Sequence, residues 1–392
     1  MNNHFFLPLG GATGVGSVPM IDPDEAVAFV ADCCPRIPFW PQLPQRAPSE
    51  SMIEQALLPF GDLVRRTEQR TGYEVLPGAE EEFVRRLDDA PAELQPDAAA
   101  GFYAFERALA AGAFPHAAAL KGQIVGPITL ATQLRVQGRS LFDAPGASAI
   151  ANIEIFRAVG WYVTRLALWQ IERLQRWGRP VILVLDEPCL SLAVSRRSPV
   201  GHHVLPVLKE SLTMMRAAGA IAGLHCCARL PTALAYRARP DLISFDAHQG
   251  LEDFFADPHM QAFMRAGGLV AFGIVPTLSD LSEFHPLTLL SRWLEAAMSV
   301  GDIADLAERS LFTATCGLGL LGERAARQSF QLVGQLSASV AGLLRRASRS
   351  VSNLLSVGPS AARPPHPYTA FPLWQRRGGW SFRKGDTPSS SL

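Results

Sequence analysis

Short apolar runs recur along the chain, each closed by glycine, proline or a polar residue and separated from the next by residues at helical spacing. Residues 11–19 (GATGVGSVP) are the first, and Asp22-Pro23-Asp24-Glu25 then reads as a helix start with Asp22 as the cap. Residues 37–44 (IPFWPQLP) are the second, a poor strand on propensity because of its prolines. Residues 120–129, 180–188, 220–227, 241–248, 269–276 and 311–318 continue the series. Between them, residues 151–177 form a long amphipathic helix in which Ile155, Val159, Tyr162, Leu166, Trp169 and Leu174 return to one side, and Gly178 stops it. Further helical stretches fall near residues 207–218, 231–239, 251–266 and 286–300.

Eight strand candidates alternating with helices predict a parallel sheet with helices outside it, and eight is the number that closes a (β/α)8 barrel. An open doubly wound sheet is the alternative. The glycines at 10, 11, 14 and 16 do not make a dinucleotide fingerprint, because Pro19 interrupts the expected helix and no acidic residue closes a following strand. The expected layout is an N-terminal extension (1–9), one barrel (10–345) and a Ser-, Arg-, Pro- and Gly-rich tail (346–392) that reads as disordered.

Composition narrows the function. The 392 residues carry 36 Lys+Arg against 36 Asp+Glu, and this zero balance argues against a nucleic-acid binder. The N-terminus lacks the basic and apolar regions of a signal peptide, and no run approaches the length of a membrane span, so a cytoplasmic enzyme is expected. The six cysteines fall as Cys33-Cys34, Cys189, Cys226-Cys227 and Cys316, which reads as free thiols or metal ligands rather than a disulfide framework.

In such a barrel the working groups lie at the carboxyl ends of the strands. Those ends hold Ser17, Gln42, Thr129, Asp186-Glu187, His225-Cys226-Cys227, Asp246, His248 and Cys316. His225 and Cys227 are two apart and so face one way, while Cys226 faces the other. Imidazole with thiolate suits zinc, and Cys316 offers a third ligand. Asp246, His248 or a water is the fourth. A bare His-x-Cys is also what a satisfied core histidine beside a small buried thiol looks like, and convergence with Cys316 and Asp246 is what favours the metal. Asp186 can hold an ammonium group or serve as a loop salt bridge; Ser17, after Gly16, can hydrogen-bond a carboxylate. A thiolate-rich zinc is a poor source of hydroxide, and its natural task is to present a substrate thiol as the nucleophile.

The set Gly14-Val15-Gly16-Ser17, Gly126-Pro127-Ile128-Thr129, Asp186-Glu187-Pro188, His225-Cys226-Cys227, Asp246 and Cys316-Gly317-Leu318-Gly319 resembles the catalytic half of cobalamin-independent methionine synthase. That half shares its barrel superfamily with uroporphyrinogen decarboxylase and the corrinoid-dependent thiol methyltransferases, and the likeness runs from about residue 10 to 345. The resemblance implies zinc on His225, Cys227 and Cys316, with Asp246 where the long synthases carry glutamate. It implies homocysteine with its sulfur on the zinc, its ammonium near Asp186 and its carboxylate near Gly16-Ser17; separately, the loops after the first two strands, Trp40-Pro41-Gln42 included, are expected to shape the pocket and shield it from water.

Departures from the family bear on the methyl donor. No counterpart of the N-terminal second barrel of the long enzymes is expected within these 392 residues. Pro276 stands where they carry a histidine proposed to protonate the leaving folate, and Ala131 and Gln133 replace a pterin-stacking tryptophan. Arg46 lies in the region of a substrate-binding glutamate. These favour a methylcorrinoid protein over methyltetrahydrofolate. Methyl transfer to another thiol such as a coenzyme thiol, a metal-free tetrapyrrole-type decarboxylase and a non-enzymatic binding barrel are the alternatives.

Overall fold

A computed structural model describes residues 10–67, 72–136, 147–149, 152–193 and 201–356. The expected extension 1–9 and most of the expected tail, 357–392, lie outside them. The chain divides into two compact units, Met1–Arg346 and Ala347–Leu392. The second contributes only residues 347–356, the end of a helix assigned to Glu323–Ser356. Val340, Leu344, Val351 and Leu355 keep a helical spacing that the Ser- and Arg-rich composition concealed.

Eleven strands are assigned among the described residues: β1 (Gly11–Ala12), β2 (Val64–Arg66), β3 (Tyr73–Val75), β4 (Leu120–Val125), β5 (Leu134–Val136), β6 (Ala147–Ser148), β7 (Val181–Asp186), β8 (Ile221–Cys226), β9 (Leu242–Asp246), β10 (Leu269–Val275) and β11 (Ser310–Ala314). Seven of them form a curled parallel sheet in the order β1-β11-β10-β9-β8-β7-β4. Seven of the eight apolar runs therefore become strands of one sheet. A small second sheet, β2-β3-β5-β6, was not foreseen, because strands of two or three residues leave no periodicity to read.

Strand alternation sorts the main sheet into two faces. Leu183, Leu185, Ala222, Leu224, Phe272 and Phe312 pack in the main core with the surrounding helices. Ile182, Val184, Ile221, Leu242, Ala271 and Leu311 form a separate cluster on the inner side of the curl. The helix Pro23–Cys33 starts as expected, with the Asp22 carboxylate accepting from the Asp24 and Glu25 amides at 2.9 Å.

The proline-rich second run makes two isolated parallel bridges instead of a strand, Phe39 with Lys121 of β4 and Ser17 with Gln42. Pro38, Pro41 and Pro44 have no N–H to give a ladder. The amides that remain are spent across both sheet edges: Trp40 N–H donates to Lys121 O at 3.3 Å, and Gln42 N–H to Gly16 O at 3.1 Å. Side chains finish the attachment. Trp40 Nε1 donates to Gln170 Oε1, Gln170 Nε2 to Gln123 O, and Gln123 Nε2 back to Trp40 O, at 2.9, 3.1 and 2.9 Å.

Gly101, in the helix Ala100–Ala110, lies against this segment so closely that an added Cβ would sit 1.8 Å from the Pro41 carbonyl oxygen. Backbone on both sides cannot yield cheaply. Gly101→Ala is expected to cost on the order of 2–3 kcal/mol, measured by urea denaturation. No described helix is long and apolar enough to cross a membrane.

Candidate metal centre

The inward parity of β8 decides the first ligand. Ile221 faces the inner cluster, so Gly223 and His225 share its side, and Cys227 follows two residues on, just past the strand end. Cys316 follows β11 on the far side of the sheet order. One ligand atom from each of His225, Cys227 and Cys316 lies within 4.8 Å of the other two. His225 is buried, and both cysteines are half-buried.

Ser244 on β9 stands in register with His225, and its Oγ lies 2.8 Å from the imidazole Nδ1. That contact orients the ring and leaves Nε2 buried with no partner among the described residues. A buried imidazole nitrogen left without a partner is costly, and a cation removes the cost. The two thiols are coupled. The Cys227 S–H donates toward Cys316, which with His225 and the Gly317 amide pushes the Cys316 thiol down to about 4. Cys227 is correspondingly pushed up. An orphaned Nε2 facing two soft sulfur donors fits a zinc-type cation.

Asp186 ends β7 directly opposite His225 in the ladder. Its Oδ1 has no partner among the described residues, and burial raises the carboxyl to about 6 against the pull of His225 and Lys121. Lys121 was not read from the sequence, where a lysine in an apolar run looks like an outward residue. It points inward instead. Its Nζ donates to Val15 O at 2.6 Å and Gln123 Oε1 at 3.1 Å, and burial lowers it to about 8. With Thr13, His225, Ser244 and Thr313 it borders a space of about 10 Å³, room for one water.

Glu187 turns away from this space. Its carboxylate accepts from the Ile128 and Thr129 amides at 2.9 and 2.7 Å and from Thr129 Oγ1 at 2.7 Å, clamping the Gly126-Pro127 turn to β7. Burial raises it to about 7 against those three donors. Gly126 is needed here, since a Cβ would stand 2.2 Å from the Glu187 carboxyl.

The remaining expected site residues divide. Ser17 joins the loop that carries Cys316: its Oγ accepts from the Gly319 amide at 3.1 Å, and its carbonyl accepts from the Leu318 amide at 2.9 Å. Gly16 lies beside it, with Gln123 occupying the space of its absent side chain. Gln42 is buried with its amide committed to Gln55 Oε1 at 2.8 Å, a structural bond and not a free group at the mouth.

Asp246 is not in the His/Cys/Cys group. It caps the helix Ala247–Ala256, accepting from the Gln249 amide at 3.0 Å. His248 packs edge-on against Phe284, its Nδ1 without a partner among the described residues. The residues the sequence reading missed are Ser244 and Lys121, and also Thr277 and Thr315 behind Cys316. Ser244 had a legible signal: it lies two before Asp246 on an alternating strand and so faces inward.

No protein-family model matches the chain, and no curated protein matches it.

Proposed function

We propose that this protein is a zinc-dependent methyltransferase that moves a methyl group onto the sulfur of a small thiol, with homocysteine as the leading acceptor. The convergence of His225 Nε2 with the Cys227 and Cys316 sulfurs carries the reading. Those three residues would hold the metal. When bound, zinc supplies Lewis-acid stabilisation of a thiolate at neutral pH. The reading also takes the sheet as an eight-membered barrel of the methionine-synthase kind. Residues 37–42 stand in the eighth place, supported by their bonds to both sheet edges.

The chain's own groups have distinct tasks. Ser244 holds the His225 ring so that Nε2 faces the cysteines. Asp186, with an open carboxylate oxygen opposite His225, receives the substrate ammonium. The Ser17 hydroxyl, which already accepts from Gly319, keeps its proton to donate to the substrate carboxylate. In the net reaction the donor–methyl bond breaks with its electron pair leaving on the donor. The carbon–sulfur bond forms, and the thiol proton goes to solvent. A donor that leaves without needing a proton suits a chain with Pro276 after β10, which favours a methylcorrinoid over methyltetrahydrofolate.

Calorimetric titration of zinc-loaded protein with homocysteine, in buffers of differing ionisation enthalpy, tests this. Homocysteine is expected to bind with release of about one proton near pH 7. A coenzyme thiol binding in its place reassigns the acceptor. Absence of proton-linked binding by any thiol removes the proposal.

A further inference from the structure

Parity along β11 does not place Cys316 at the metal centre. Leu311 and Thr313 border the inner space beside His225, so the inward positions are odd-numbered and residue 316 should point away. Its sulfur nevertheless lies with His225 and Cys227. The backbone must therefore turn between Ala314 and Cys316, and the neighbouring strand shows how the turn is held.

The β10–β11 ladder runs in step to Gly273 opposite Thr313 and then slips, with Val275 opposite Ala314. The extra residue, Ile274, is in β10, so the bulge bends the end of that strand, and Thr277 beyond it meets the chain after β11. Past the slip, Thr315 N–H donates to Val275 O at 2.8 Å. Thr277 N–H donates to Thr315 Oγ1, and Cys316 N–H donates to Thr277 Oγ1, each at 3.1 Å. The two hydroxyl oxygens are 2.9 Å apart, so one hydroxyl donates to the other and neither threonine is a spare surface group. The crossed pair fixes the main chain of Cys316 from β10, a strand that contributes no ligand.

We propose that Thr277 is a positioning residue that sets the Cys316 sulfur in the His/Cys/Cys group. The inference rests on the metal-binding reading for its function, but the clamp is a property of the chain and can be measured without metal. Valine at 277 keeps the branched shape and loses both the acceptor for the Cys316 amide and the partner for Thr315. Serine keeps the hydroxyl.

The test compares wild type, Thr277→Val and Thr277→Ser. Zinc affinity is read by chelator competition, and the sulfur-to-cobalt charge-transfer band of the cobalt-substituted proteins reports sulfur placement. Thr277→Val is expected to lose tenfold to a hundredfold in zinc affinity with a weakened band, and Thr277→Ser to recover to within about threefold. Wild-type affinity and an unchanged band in Thr277→Val overturn the proposal. If the wild type holds neither metal, the metal reading fails. The clamp is then judged on the metal-free protein by the ratio of alkylation rates at Cys316 and Cys227, read by peptide mass spectrometry. A ratio shifted by Thr277→Val and restored by Thr277→Ser supports it, and an unshifted ratio overturns it.

Discussion

Cys316→Ser should strip the protein of zinc without unfolding it. A serine hydroxyl stays protonated at neutral pH and is a hard donor, so the centre drops to two ligands from one strand. Structural zinc sites bind with about 10–16 kcal/mol over four ligands. Loss of one ligand is therefore worth about 3 kcal/mol, more than a hundredfold in affinity. Cys227→Ser and His225→Ala are expected to behave alike. Cys226→Ser is the informative control: one position away, buried, and facing the outer core, it should keep near-stoichiometric zinc. Metal analysis with far-UV circular dichroism reads all four variants. Full zinc in Cys316→Ser, or loss in Cys226→Ser alone, would show that the metal is held elsewhere.

The second large effect concerns stability. Glu187→Ala leaves two backbone amides and the Thr129 hydroxyl without their acceptor, in a place water does not reach. Each orphaned donor costs about 1–3 kcal/mol, so a loss of about 4–5 kcal/mol is expected in urea unfolding. The pH dependence follows from the raised carboxyl. Between its ordinary 4.5 and about 7, the folded protein binds a proton at Glu187 that the unfolded chain has released. The Glu187 contribution to the stability of the metal-free protein therefore falls as pH climbs through that window, by about 3 kcal/mol, and levels off above it, while the depressed Cys316 thiol works in the opposite direction. Asp186, raised from 3.8 to about 6, adds a decline in the same direction at lower pH. Glu187→Gln cannot ionise, so the difference in stability between wild type and this variant should shrink by that amount as pH climbs from 4.5 to 7. An unaltered slope in that variant would contradict the assignment.

Much of the sheet could be read from apolar runs, since a strand buried on both faces needs a continuous apolar stretch and β7 (VILVLD) has one. The pairing of His225 with Cys227 was legible for a related reason: a spacing of two on a strand fixes a common side. Cys316 could be named but not oriented, because its place depends on a turn after β11 held by hydrogen bonds to Thr277, which leave no mark in the sequence. Asp246 carried two meanings, strand-end ligand and helix cap, and local backbone geometry decided for the cap. Lys121 defeated pattern reading outright, because its partners, Val15 O and the Gln123 amide, come from backbone approach and a neighbouring inward residue. Residues 37–44, expected as one of the eight strands despite their prolines, form two isolated bridges instead. Their importance lies in the few amides left between the prolines.

The strand that delivers Cys316 is the last of the sheet in the sequence, yet it lies between the first strand and β10. A chain emerging from the ribosome therefore exposes His225 and Cys227 well before their third companion exists. An ion held by all three, as proposed, would have to wait until β11 inserts beside β1. A nascent chain stalled before residue 310 would then hold such an ion only weakly, through His225 and Cys227 alone.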